Sequence, residues 1–328
     1  MDRIVTNSSV LVTGGAGFIG SNLVESLLNA GNYVVCLDNF STGKRENLSG
    51  FINDPHFRLI EGDIRNYSDC EESVRGIDYV FHEAALGSVP RSISDPVSST
   101  DVNIGGFVKM LYAAKEAKVR RFIYAASSST YGDHQGLPKV EETIGKPLSP
   151  YGITKYADEL FADNFSAVYK TDVIGLRYFN VFGRRQDPHG AYAAVIPLFV
   201  TRLFRHEPPV INGNGMYSRD FTYIDNVIQA NHLAALVQER EAINQVYNVA
   251  HGERTSLNEL FDLIRQLTGK YDPTILEIKP VYGPERTGDI PHSLASIEKA
   301  GRLLGYKPTH NVREGMKEAV EWYRANLL

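Results

Sequence analysis

The turn that decides the fold lies in SVLVTGGAGFIGSNLVESLLNAG, residues 9–31. Its first part, SVLVTG (9–14), is typical of a buried strand, and FIGSNLVESLLNAG (18–31) is typical of an amphipathic helix that ends at a glycine. TGGAGFIG (13–20) joins the two and carries regularly spaced glycines. Such glycines let the backbone turn tightly and approach a diphosphate at the positive end of the helix. The segment therefore predicts a strand–turn–helix unit that binds a dinucleotide.

The same alternation of apolar runs and helical patterns continues outward from this turn. The runs are short and nearly continuous, which favours parallel strands buried on both faces. We therefore predict an α/β fold with a doubly wound parallel sheet, that is, a Rossmann fold. The further predicted strands are YVVCLD (33–38), FRLIEGDI (57–64), DYVFHEAA (78–85), RRFIYAASS (120–128) and DVIGLRYFNVFG (172–183), with helices at 102–118 and from Pro150.

From about residue 184 the loops lengthen and carry more Gly, Pro, Asn and Asp. We predict a cofactor-binding Rossmann domain over residues 1–183, which also carries the catalytic residues. A smaller C-terminal α/β lobe over 184–328 would mainly bind the substrate, with a soft boundary and the chain crossing between the lobes. Helical patterns in this second part lie near 195–206, 225–239, 255–269 and 311–327.

The composition excludes several classes of protein. The 328 residues are 43% hydrophobic and 22% charged, with a formal net charge of −5. This mild acidity gives no electrostatic reason to expect nucleic acid or an anionic membrane as a partner. Because the chain has two cysteines, Cys36 and Cys70, a disulfide framework is not expected and a reducing compartment fits. No run reaches ~18 apolar residues, so we expect a cytoplasmic protein.

The second predicted strand ends in Asp38, which indicates the cofactor. A carboxylate at this point accepts hydrogen bonds from the adenosine ribose hydroxyls and repels a 2′-phosphate. No arginine follows at once in DNFSTGK, although Lys44 is near, so the sequence favours NAD over NADP. At the end of the third strand, Asp63 and Ile64 could flank the adenine, or Asp63 could simply cap the next turn.

The segment SPYGITKYADEL (149–160) predicts a helix that starts at Pro150, with Ser149 as its cap. Tyr151 and Lys155 then lie one turn apart on one face. They could be an exposed tyrosine and a lysine that covers it. Alternatively, because a lysine and an oxidised nicotinamide both favour phenolate, the tyrosine could act as a base although free tyrosine has a pKa of about 10. On that interpretation Lys155 also holds the nicotinamide ribose.

Two strand ends carry further polar residues. Ser127, in AASSSTYG (125–132), could hydrogen-bond the reacting hydroxyl, or the serines there could be ordinary turn formers. His82 and Glu83 end the fourth strand, but no second His or Cys stands nearby at a metal-ligand spacing. We therefore predict no metal site.

Taken together, these motifs resemble the extended short-chain dehydrogenase/reductase superfamily, and the likeness extends over the whole chain. The resemblance is closest to nucleotide-sugar 4-epimerases, in particular the bacterial UDP-N-acetylglucosamine 4-epimerases. It is carried by the glycine turn, Asp38, the strand-five serines, Tyr-x-x-x-Lys, and the segments HEAALGSVPRS, AASSSTYGDH, LRYFNVFGRRQDP, SRDFTYID and RTGDIPHS.

The resemblance implies reversible C4 epimerisation of UDP-GlcNAc and UDP-GalNAc with bound NAD, and weaker action on UDP-Glc and UDP-Gal. Tyr151 would take the O4 proton while the C4 hydride passes to NAD, and the 4-keto sugar would turn and receive both on its other face. Ser127 would bond the hydroxyl, Lys155 would orient and polarise, and Asn103 would help to position the pair. The implied cofactor contacts are Gly14, Gly17, Phe18, Ile19, Gly20, Asp38, Asn39, Ser41, Thr42, Gly43, Asp63, Ile64, Ala84, Asn103, Tyr151 and Lys155.

The resemblance also implies a substrate site. Arg219 and Arg286 match arginines that bind the diphosphate, which suits the bidentate geometry of guanidinium. Small residues at Gly87, Ala194 and Ser293 stand where glucose-restricted members carry larger side chains, and they would leave room for an N-acetyl group. The remaining implied contacts are Asn180 for diphosphate and sugar, Asp289 for the ribose, Val210 and Asn212 for uracil, and Ser88, Ser127, Ser128, Gln186 and Val195 around the sugar.

Several alternatives stay open at this point. A nucleotide-sugar 4,6-dehydratase or decarboxylase would use the same tyrosine and NAD, but the loop SSSTYGD lacks the Asp-Glu pair of dehydratases. A 4-epimerase of the 6-carboxylated sugar UDP-GlcNAcA is not excluded by any residue. An inert NAD-binding protein would be expected to lack Ser127, Tyr151 or Lys155. The resemblance finally implies a homodimer through helix 102–118 and the helix from Pro150, although the apolar stripe FVKMLYAAKEA could instead face the sheet.

Overall fold

The computed structural model describes residues 3–188, 194–285 and 290–327. Its strands are β1 (Ser9–Thr13), β2 (Tyr33–Asp38), β3 (Phe57–Glu61), β4 (Tyr79–His82), β5 (Arg121–Ser127), β6 (Val173–Tyr178), β7 (Val181–Phe182), β8 (Val210–Asn212), β9 (Ser218–Arg219), β10 (Thr222–Tyr223), β11 (Gln245–Val249), β12 (Thr255–Ser256) and β13 (Val281–Gly283).

The helices alternate with these strands. They are α1 (Phe18–Asn29), α2 (Tyr67–Ser73), α3 (Val89–Ser94), α4 (Pro96–Thr100), α5 (Phe107–Glu116), α6 (Pro150–Tyr169), α7 (Val195–Phe204), α8 (Ile224–Leu236), α9 (Leu257–Thr268), α10 (Glu298–Leu304) and α11 (Val312–Leu327). Within the described ranges, none of them combines the length and the apolar character that crossing a membrane requires.

Seven strands form one parallel sheet in the order β11-β6-β5-β4-β1-β2-β3. The chain moves outward from β1 in one direction through β2 and β3, and then returns to the other side of β1 with β4. Such a reversal opens a crevice at the carboxyl ends of the strands, where doubly wound sheets bind their ligands. The predicted fold class is confirmed.

Apolar residues of the sheet alternate between two cores, one on each face. On β1, Val10 and Val12 belong to one core, whereas Leu11 belongs to the other. Leu23 of α1 packs into the first core, and Phe107 of α5 packs into the second. Because both faces are covered, the strands are apolar along their whole length, as the continuous runs predicted.

Some predicted boundaries were wrong. The strand predicted at 57–64 ends at Glu61, and that predicted at 78–85 ends at His82. The run 172–183 forms two strands, β6 and β7, because Asn180 between them has a φ of 35°, which a continuous strand does not allow. The helix predicted at 102–118 begins as a wider π-helical turn over Asp101–Gly106.

The second half of the chain contributes to the main sheet as well as to a separate layer. β11 pairs with β6 at the edge of the sheet. β8 pairs with β13, and β9 pairs with β12, in two-stranded sheets outside it. The predicted division at residue 183 stays a prediction, and the pairing of β11 agrees with a chain that crosses between lobes.

Candidate active site

A cavity of about 450 Å³ opens at the carboxyl ends of the parallel strands. It runs from the glycine turn after β1, past the ends of β2 and β4, to the end of β5 and the start of α6. The predicted cofactor residues that line it are Gly14, Gly17, Phe18, Ile19, Gly20, Asp38, Asn39, Ser41, Thr42, Gly43, Asp63, Ile64, Ala84, Tyr151 and Lys155.

Two glycines of the turn are required by close approach of the backbone. Gly14 has a φ of 67°, and a Cβ there would lie 2.8 Å from Cα of Ala84. A Cβ on Gly20 would lie only 2.2 Å from the carbonyl oxygen of Gly14. The turn is therefore closed tightly against the end of β4 and the first turn of α1, and neither position accommodates a side chain without a backbone shift.

The first turn of α1 is suited to an anion. The helix begins after Gly17 with no side-chain cap and no acidic residue in its first turn. Its leading backbone N–H groups and the positive end of its dipole are thus available to a ligand, and Gly17, Phe18 and Ile19 line the cavity at this point. The donor set fits the diphosphate of a dinucleotide.

Asp38 lies at the end of β2 beside this turn and is 7% exposed. Its carboxylate accepts hydrogen bonds from the backbone N–H groups of Ala16 at 2.9 Å and Phe40 at 2.7 Å. Burial raises the pKa of Asp38, whereas these two hydrogen bonds oppose the rise. Lys44, the cation that could have paired with a 2′-phosphate, forms an ion pair with Asp187 at 2.9 Å. The arrangement suits NAD rather than NADP.

Asp63 caps the turn after its strand, as one interpretation of its sequence expects, and its contact with the adenine stays a prediction. It lines the cavity, and it also accepts a hydrogen bond from the backbone N–H of Arg65, so that it closes the turn after β3. The Arg65 side chain binds the same carboxylate at 2.7 Å, and Asn39 donates to it at 2.9 Å. The hydrogen bond from Arg65 lowers the pKa of Asp63 to about 2.

The helix α6 begins as its sequence predicts and carries the reactive pair into the cavity. Ser149 caps it by accepting a hydrogen bond from the N–H of Gly152 at 3.1 Å, and Pro150 is its first residue. Tyr151 and Lys155 both line the cavity, one helical turn apart. The Lys155 ammonium is buried and donates to the carbonyl oxygen of Ala125 at 2.9 Å.

A buried carboxyl group also contacts the Lys155 side chain. Asp158, which is 0% exposed, forms an ion pair with the ammonium at 3.3 Å. Burial raises the pKa of Asp158 to about 7, although Lys155 opposes that rise. Asp158 was not predicted from the sequence, since an acid three residues after a lysine on a helix is common on solvated faces.

Asn103 is connected to Tyr151 through Thr154 and does not line the cavity wall. It lies in the π-helical turn before α5, and its side-chain amide binds both the N–H and the carbonyl oxygen of Leu86. The same amide donates to the hydroxyl of Thr154 at 3.1 Å, and Thr154 in turn donates to the carbonyl oxygen of Tyr151. Asn103 is not among the residues that line the cavity, but these bonds place it where it can position α6.

Ser127 is the last residue of β5 and lines the cavity near Tyr151 and Lys155. Its hydroxyl oxygen accepts a hydrogen bond from the backbone N–H of Ser129 at 3.1 Å, which starts a short 3₁₀ turn. The turn-forming role that its sequence left open is therefore real. The same bond orients the hydroxyl, whose proton can still be donated to a ligand.

The predicted substrate residues divide into two groups. The first group lines the cavity and consists of Gly87, Ser127, Asn180 and Gln186. The second group lies outside the cavity wall and consists of Ser88, Ser128, Ala194, Val195, Val210, Asn212, Arg219 and Ser293. Arg286 and Asp289 lie outside the described residues.

Part of the second group is gathered by the small sheets. Val210 and Asn212 are the ends of β8, which pairs with β13. Arg219 ends β9 and donates to the carbonyl oxygens of Ser218 and Pro291 at 3.0 and 3.2 Å. The N–H of Ser293 donates to the Ser218 carbonyl oxygen at 3.1 Å, so that Ser293 is held next to Arg219.

Two polar residues with ionisable side chains on the cavity wall were not among the predicted site residues. Glu83 follows β4 and Tyr178 ends β6, and the Tyr178 hydroxyl donates to Oε1 of Glu83 at 2.8 Å. Burial raises the pKa of Glu83 to about 7, against the Tyr178 hydrogen bond and the charge of Lys155. Their positions at the carboxyl ends of parallel strands were a usable signal.

One group of metal-capable side chains occurs in the described ranges, away from the cavity wall. Asp225, His310 and Glu318 offer ligand atoms within 4.8 Å of one another. Asp225 already binds Arg184 at 2.8 Å, and His310 pairs with Glu318 at 3.3 Å. Since these partners satisfy one another, the group does not by itself indicate an ion, and the absence of a metal site stays a prediction.

The cavity therefore combines a turn suited to an anion, a buried carboxylate at the end of β2 and, at its far end, the hydroxyl groups of Ser127 and Tyr151 with the amino group of Lys155. Tyr151 could exchange a proton with an alcohol, and Ser127 could hold that alcohol in place. Such a set is suited to oxidation and reduction of a hydroxyl-bearing carbon by a dinucleotide.

Comparison with known proteins shows sequence similarity over most of the chain. The family model described as "NAD dependent epimerase/dehydratase family" matches residues 10–250. A UDP-glucose 4-epimerase of Mycolicibacterium smegmatis is 35% identical, over 96% of this chain and 98% of its own length.

Two solved structures are also similar in fold. A UDP-N-acetylglucosamine 4-epimerase from Methanobrevibacter ruminantium, in complex with UDP-N-acetylmuramic acid, has 38% identity, a TM-score of 0.91 and coverage of 98% of this chain and 99% of its own. A UDP-glucose 4-epimerase from Thermotoga maritima, with UDP-glucose, has 37% identity, a TM-score of 0.89 and coverage of 98% and 100%.

Proposed function

Because this chain belongs to the NAD dependent epimerase/dehydratase family, we propose that it is a UDP-sugar 4-epimerase that interconverts UDP-GlcNAc and UDP-GalNAc. The observation that carries the proposal is the placement of Ser127, Tyr151 and Lys155 at one end of the cavity whose other end is the glycine turn. Similarity over nearly the full length to proteins named UDP-sugar 4-epimerases supports the same conclusion.

Each residue at the reactive end of the cavity has a separate role in the proposed reaction. Bound NAD supplies the acceptor and donor of hydride, held by the glycine turn and Asp38. Tyr151 accepts the proton of the C4 hydroxyl and returns it after the sugar has presented its other face. Lys155 favours the phenolate form by its charge, and Ser127 holds the hydroxyl oxygen against Tyr151. The sugar is thereby inverted at one carbon with no net oxidation.

The diphosphate of the substrate must stay bound while the sugar turns. We assign Arg219 to it, together with Arg286, since guanidinium groups bind phosphate oxygens in two-point contacts. Arg219 ends β9, and the carbonyl oxygens of Ser218 and Pro291 anchor it there. The loop that holds Ser293 is tied to the same strand, which would bring the sugar pocket next to the diphosphate site.

The preference for N-acetylated sugars is the finer part of the proposal. Gly87 lines the cavity, and a Cβ there would meet no atom within 4 Å, so the wall is open at this point. Ala194 and Ser293 add two more small side chains. Similarity to the UDP-N-acetylglucosamine 4-epimerase of M. ruminantium supports the preference, whereas the names of the T. maritima and M. smegmatis proteins point to UDP-glucose.

A substrate panel tests the proposal. The protein as purified, without added NAD, would be incubated with UDP-GlcNAc, UDP-Glc and the 6-carboxylated UDP-GlcNAcA, and the products separated by chromatography. We expect UDP-GalNAc as the main product and slower formation of UDP-Gal. Turnover of UDP-GlcNAcA alone would replace the proposed substrate by the carboxylated sugar, formation of a 4-keto-6-deoxy sugar would indicate a dehydratase, and no product from any sugar would favour an inert NAD-binding protein.

Ser293→Tyr should remove most of the activity on UDP-GlcNAc while sparing that on UDP-Glc. A tyrosine side chain at position 293, whose backbone is bonded to Ser218, would fill the space that an N-acetyl group needs. It would leave the smaller space that a hydroxyl needs. The measurement is the ratio of kcat/KM for the two sugars, with Ser293→Ala as the control that keeps the position small. An unchanged ratio in Ser293→Tyr would show that Ser293 does not set the size limit.

We also propose a homodimer that forms through the outer face of α6. The stripe of α5 is not available for this, because Phe107, Met110 and Leu111 pack against the sheet. The outer face of α6, in contrast, leaves apolar side chains in solvent, and α3 and α4 beside it add more. These residues are Ile153 and Leu160, both 55% exposed, Val168, 59% exposed, and Ile93 and Val97.

Leu160→Glu should convert the dimer to a monomer, because a carboxylate in the middle of an apolar interface would be buried without a partner. Light scattering after size exclusion measures the mass directly. Ile52→Glu is the matched control, because Ile52 is also apolar and 50% exposed. It lies in a loop well before α6 in the sequence and is not part of the proposed interface. A monomeric parent protein, or a dimer that survives Leu160→Glu, would contradict this interface.

A further inference from the structure

Glu83 is a carboxyl group at the reactive end of the cavity that the proposed reaction does not use. It follows β4, and the register of the sheet puts β5 between β4 and β6. Glu83 nevertheless reaches across β5 to Tyr178 of β6, whose hydroxyl donates to Oε1 of Glu83 at 2.8 Å. Glu83, Ala125 and Tyr178 all line the cavity beside Ser127.

The hydrogen bonds around Glu83 form a directed chain. Asn231 of α8 donates through its side-chain amide to the Tyr178 hydroxyl at 2.9 Å, and that hydroxyl donates to Glu83. Asn231 is held in turn, since its amide also donates to the carbonyl oxygen of Val227. Burial raises the pKa of Tyr178 well above its ordinary value, so the tyrosine keeps its proton and stays a donor.

The charged and titratable groups near Glu83 come from several elements. Lys155 and Tyr151 approach from α6, Tyr178 from β6, and His82 precedes Glu83 on β4. Burial lowers the pKa of His82 to about 3, so His82 is neutral. Asp38 and Asp63 lie at the other end of the same cavity, beyond β1. The Lys155 side chain is paired with Asp158 at 3.3 Å.

We propose that Glu83, held in place by Tyr178, favours the oxidised form of the bound nicotinamide when its carboxyl group is ionised. Oxidation of the sugar removes a hydride from its C4 and a proton from its hydroxyl. With NAD bound, transfer of that hydride and its two electrons would cancel the positive charge of the nicotinamide, and the proton would go to Tyr151. A carboxylate at this end of the cavity stabilises the charged ring and not the neutral one, so it shifts the balance toward the form that starts the next cycle.

This proposal rests on the assignment of the reactive end in the proposed function, but its test contains no sugar. The NAD-loaded protein would be equilibrated with a buffered dye couple of known potential. The near-ultraviolet absorbance of the reduced nicotinamide then gives the ratio of reduced to oxidised bound cofactor. A protein that shows the predicted shift but turns over no UDP-sugar would leave this proposal standing and refute the proposed function.

Glu83→Gln keeps the acceptor for Tyr178 and removes the charge. We expect its ratio of reduced to oxidised cofactor to exceed that of the parent by roughly tenfold at pH 8, the order that one charge contributes at moderate separation. Because the pKa of Glu83 is about 7, the parent carboxyl is mainly protonated at pH 6, and the two proteins should converge there. Equal ratios at both pH values, or the same difference at both, would overturn the proposal.

A matched control and a second variant guard against a general effect of mutation. Glu141 is another buried carboxyl with a raised pKa, but it accepts the N–H of Asn248 and is not on the cavity wall. Glu141→Gln should leave the ratio at the parental value. A shift as large as that of Glu83→Gln would overturn the assignment to Glu83.

Tyr178→Phe keeps Glu83 but removes the hydrogen bond that favours its ionised form. The ratio of reduced to oxidised cofactor in Tyr178→Phe should therefore begin to differ from that in Glu83→Gln at a higher pH than it does in the parent protein. If thermal unfolding shows that Glu83→Gln does not fold, Tyr178→Phe tests the proposal in its place. The pH dependence of its cofactor ratio is then compared with that of the parent protein. An unchanged pH dependence in folded Tyr178→Phe would contradict the role of the tyrosine.

Discussion

Replacing Tyr151 with phenylalanine should lower kcat for C4 epimerisation by roughly 10²–10⁴-fold, the contribution typical of a positioned acid or base. The ring stays in the cavity, while the hydroxyl to which we assign exchange of the O4 proton is removed. The amount of bound NAD should hardly change, because the glycine turn and Asp38 are untouched. Initial rates of UDP-GalNAc formation and the cofactor content of the same preparation measure the two effects separately.

Tyr156 provides the control for this variant. It lies on the same helix, one residue after Lys155, and it is not on the wall of the cavity. Tyr156→Phe should retain nearly the parental rate. A Tyr151→Phe protein that is fully active, or a Tyr156→Phe protein that is equally impaired, would remove the proton-transfer role from Tyr151.

Gly20→Ala should sharply reduce binding of NAD. The new Cβ would lie 2.2 Å from the Gly14 carbonyl oxygen, so the backbone that forms the diphosphate site has to shift. Overpacking of this kind costs about 1–3 kcal/mol, which corresponds to roughly fivefold to 160-fold weaker binding if the strain falls on the bound state. The NAD content after purification and the affinity measured by titration both report it.

Gly50→Ala is the matched substitution at a position where a Cβ meets nothing within 4 Å. It should leave the NAD content at the parental value. Thermal unfolding of both variants without cofactor separates a lost binding site from a lost fold. Parental affinity in a folded Gly20→Ala protein would mean that the diphosphate does not bind at this turn.

The parts of the site that sequence predicts well are those determined within one turn of the chain. The glycine turn, Asp38 at the end of β2 and the start of α6 all depend on neighbouring residues. Ser149, for example, caps α6 through a bond to Gly152, three residues away. Local geometry of this kind is encoded in spacing and residue type, and the structure places these residues where the spacing predicted.

The parts that sequence missed depend on contacts between distant elements. Glu83 meets Tyr178 across an intervening strand, and Asn231 joins them from a helix in the second half of the chain. The burial that raises the pKa of Glu83 is a property of the assembled sheet and not of the segment HEAA. The same reasoning applies to Asp158, whose full burial beside Lys155 follows from the packing of α6.

The substrate side of the site lies between these two cases. The resemblance of short segments selects Arg219 and Ser293, and the small sheets do bring them together through Ser218. No pattern in the sequence specifies that contact, because it joins a two-residue strand to a loop about seventy residues later. The role of these residues in binding a UDP-sugar, like the cytoplasmic location, stays a prediction.

The most direct test of the central claim is the fate of the hydrogen at C4 of the sugar. UDP-GlcNAc that carries deuterium at C4 would be converted by the parent protein in ordinary water, and the UDP-GalNAc formed would be analysed by mass spectrometry and NMR. Because the proposed reaction removes this hydrogen as hydride and returns it within one cycle, we expect the deuterium to remain at C4 of the product. Product that has lost its deuterium to the solvent would contradict the account.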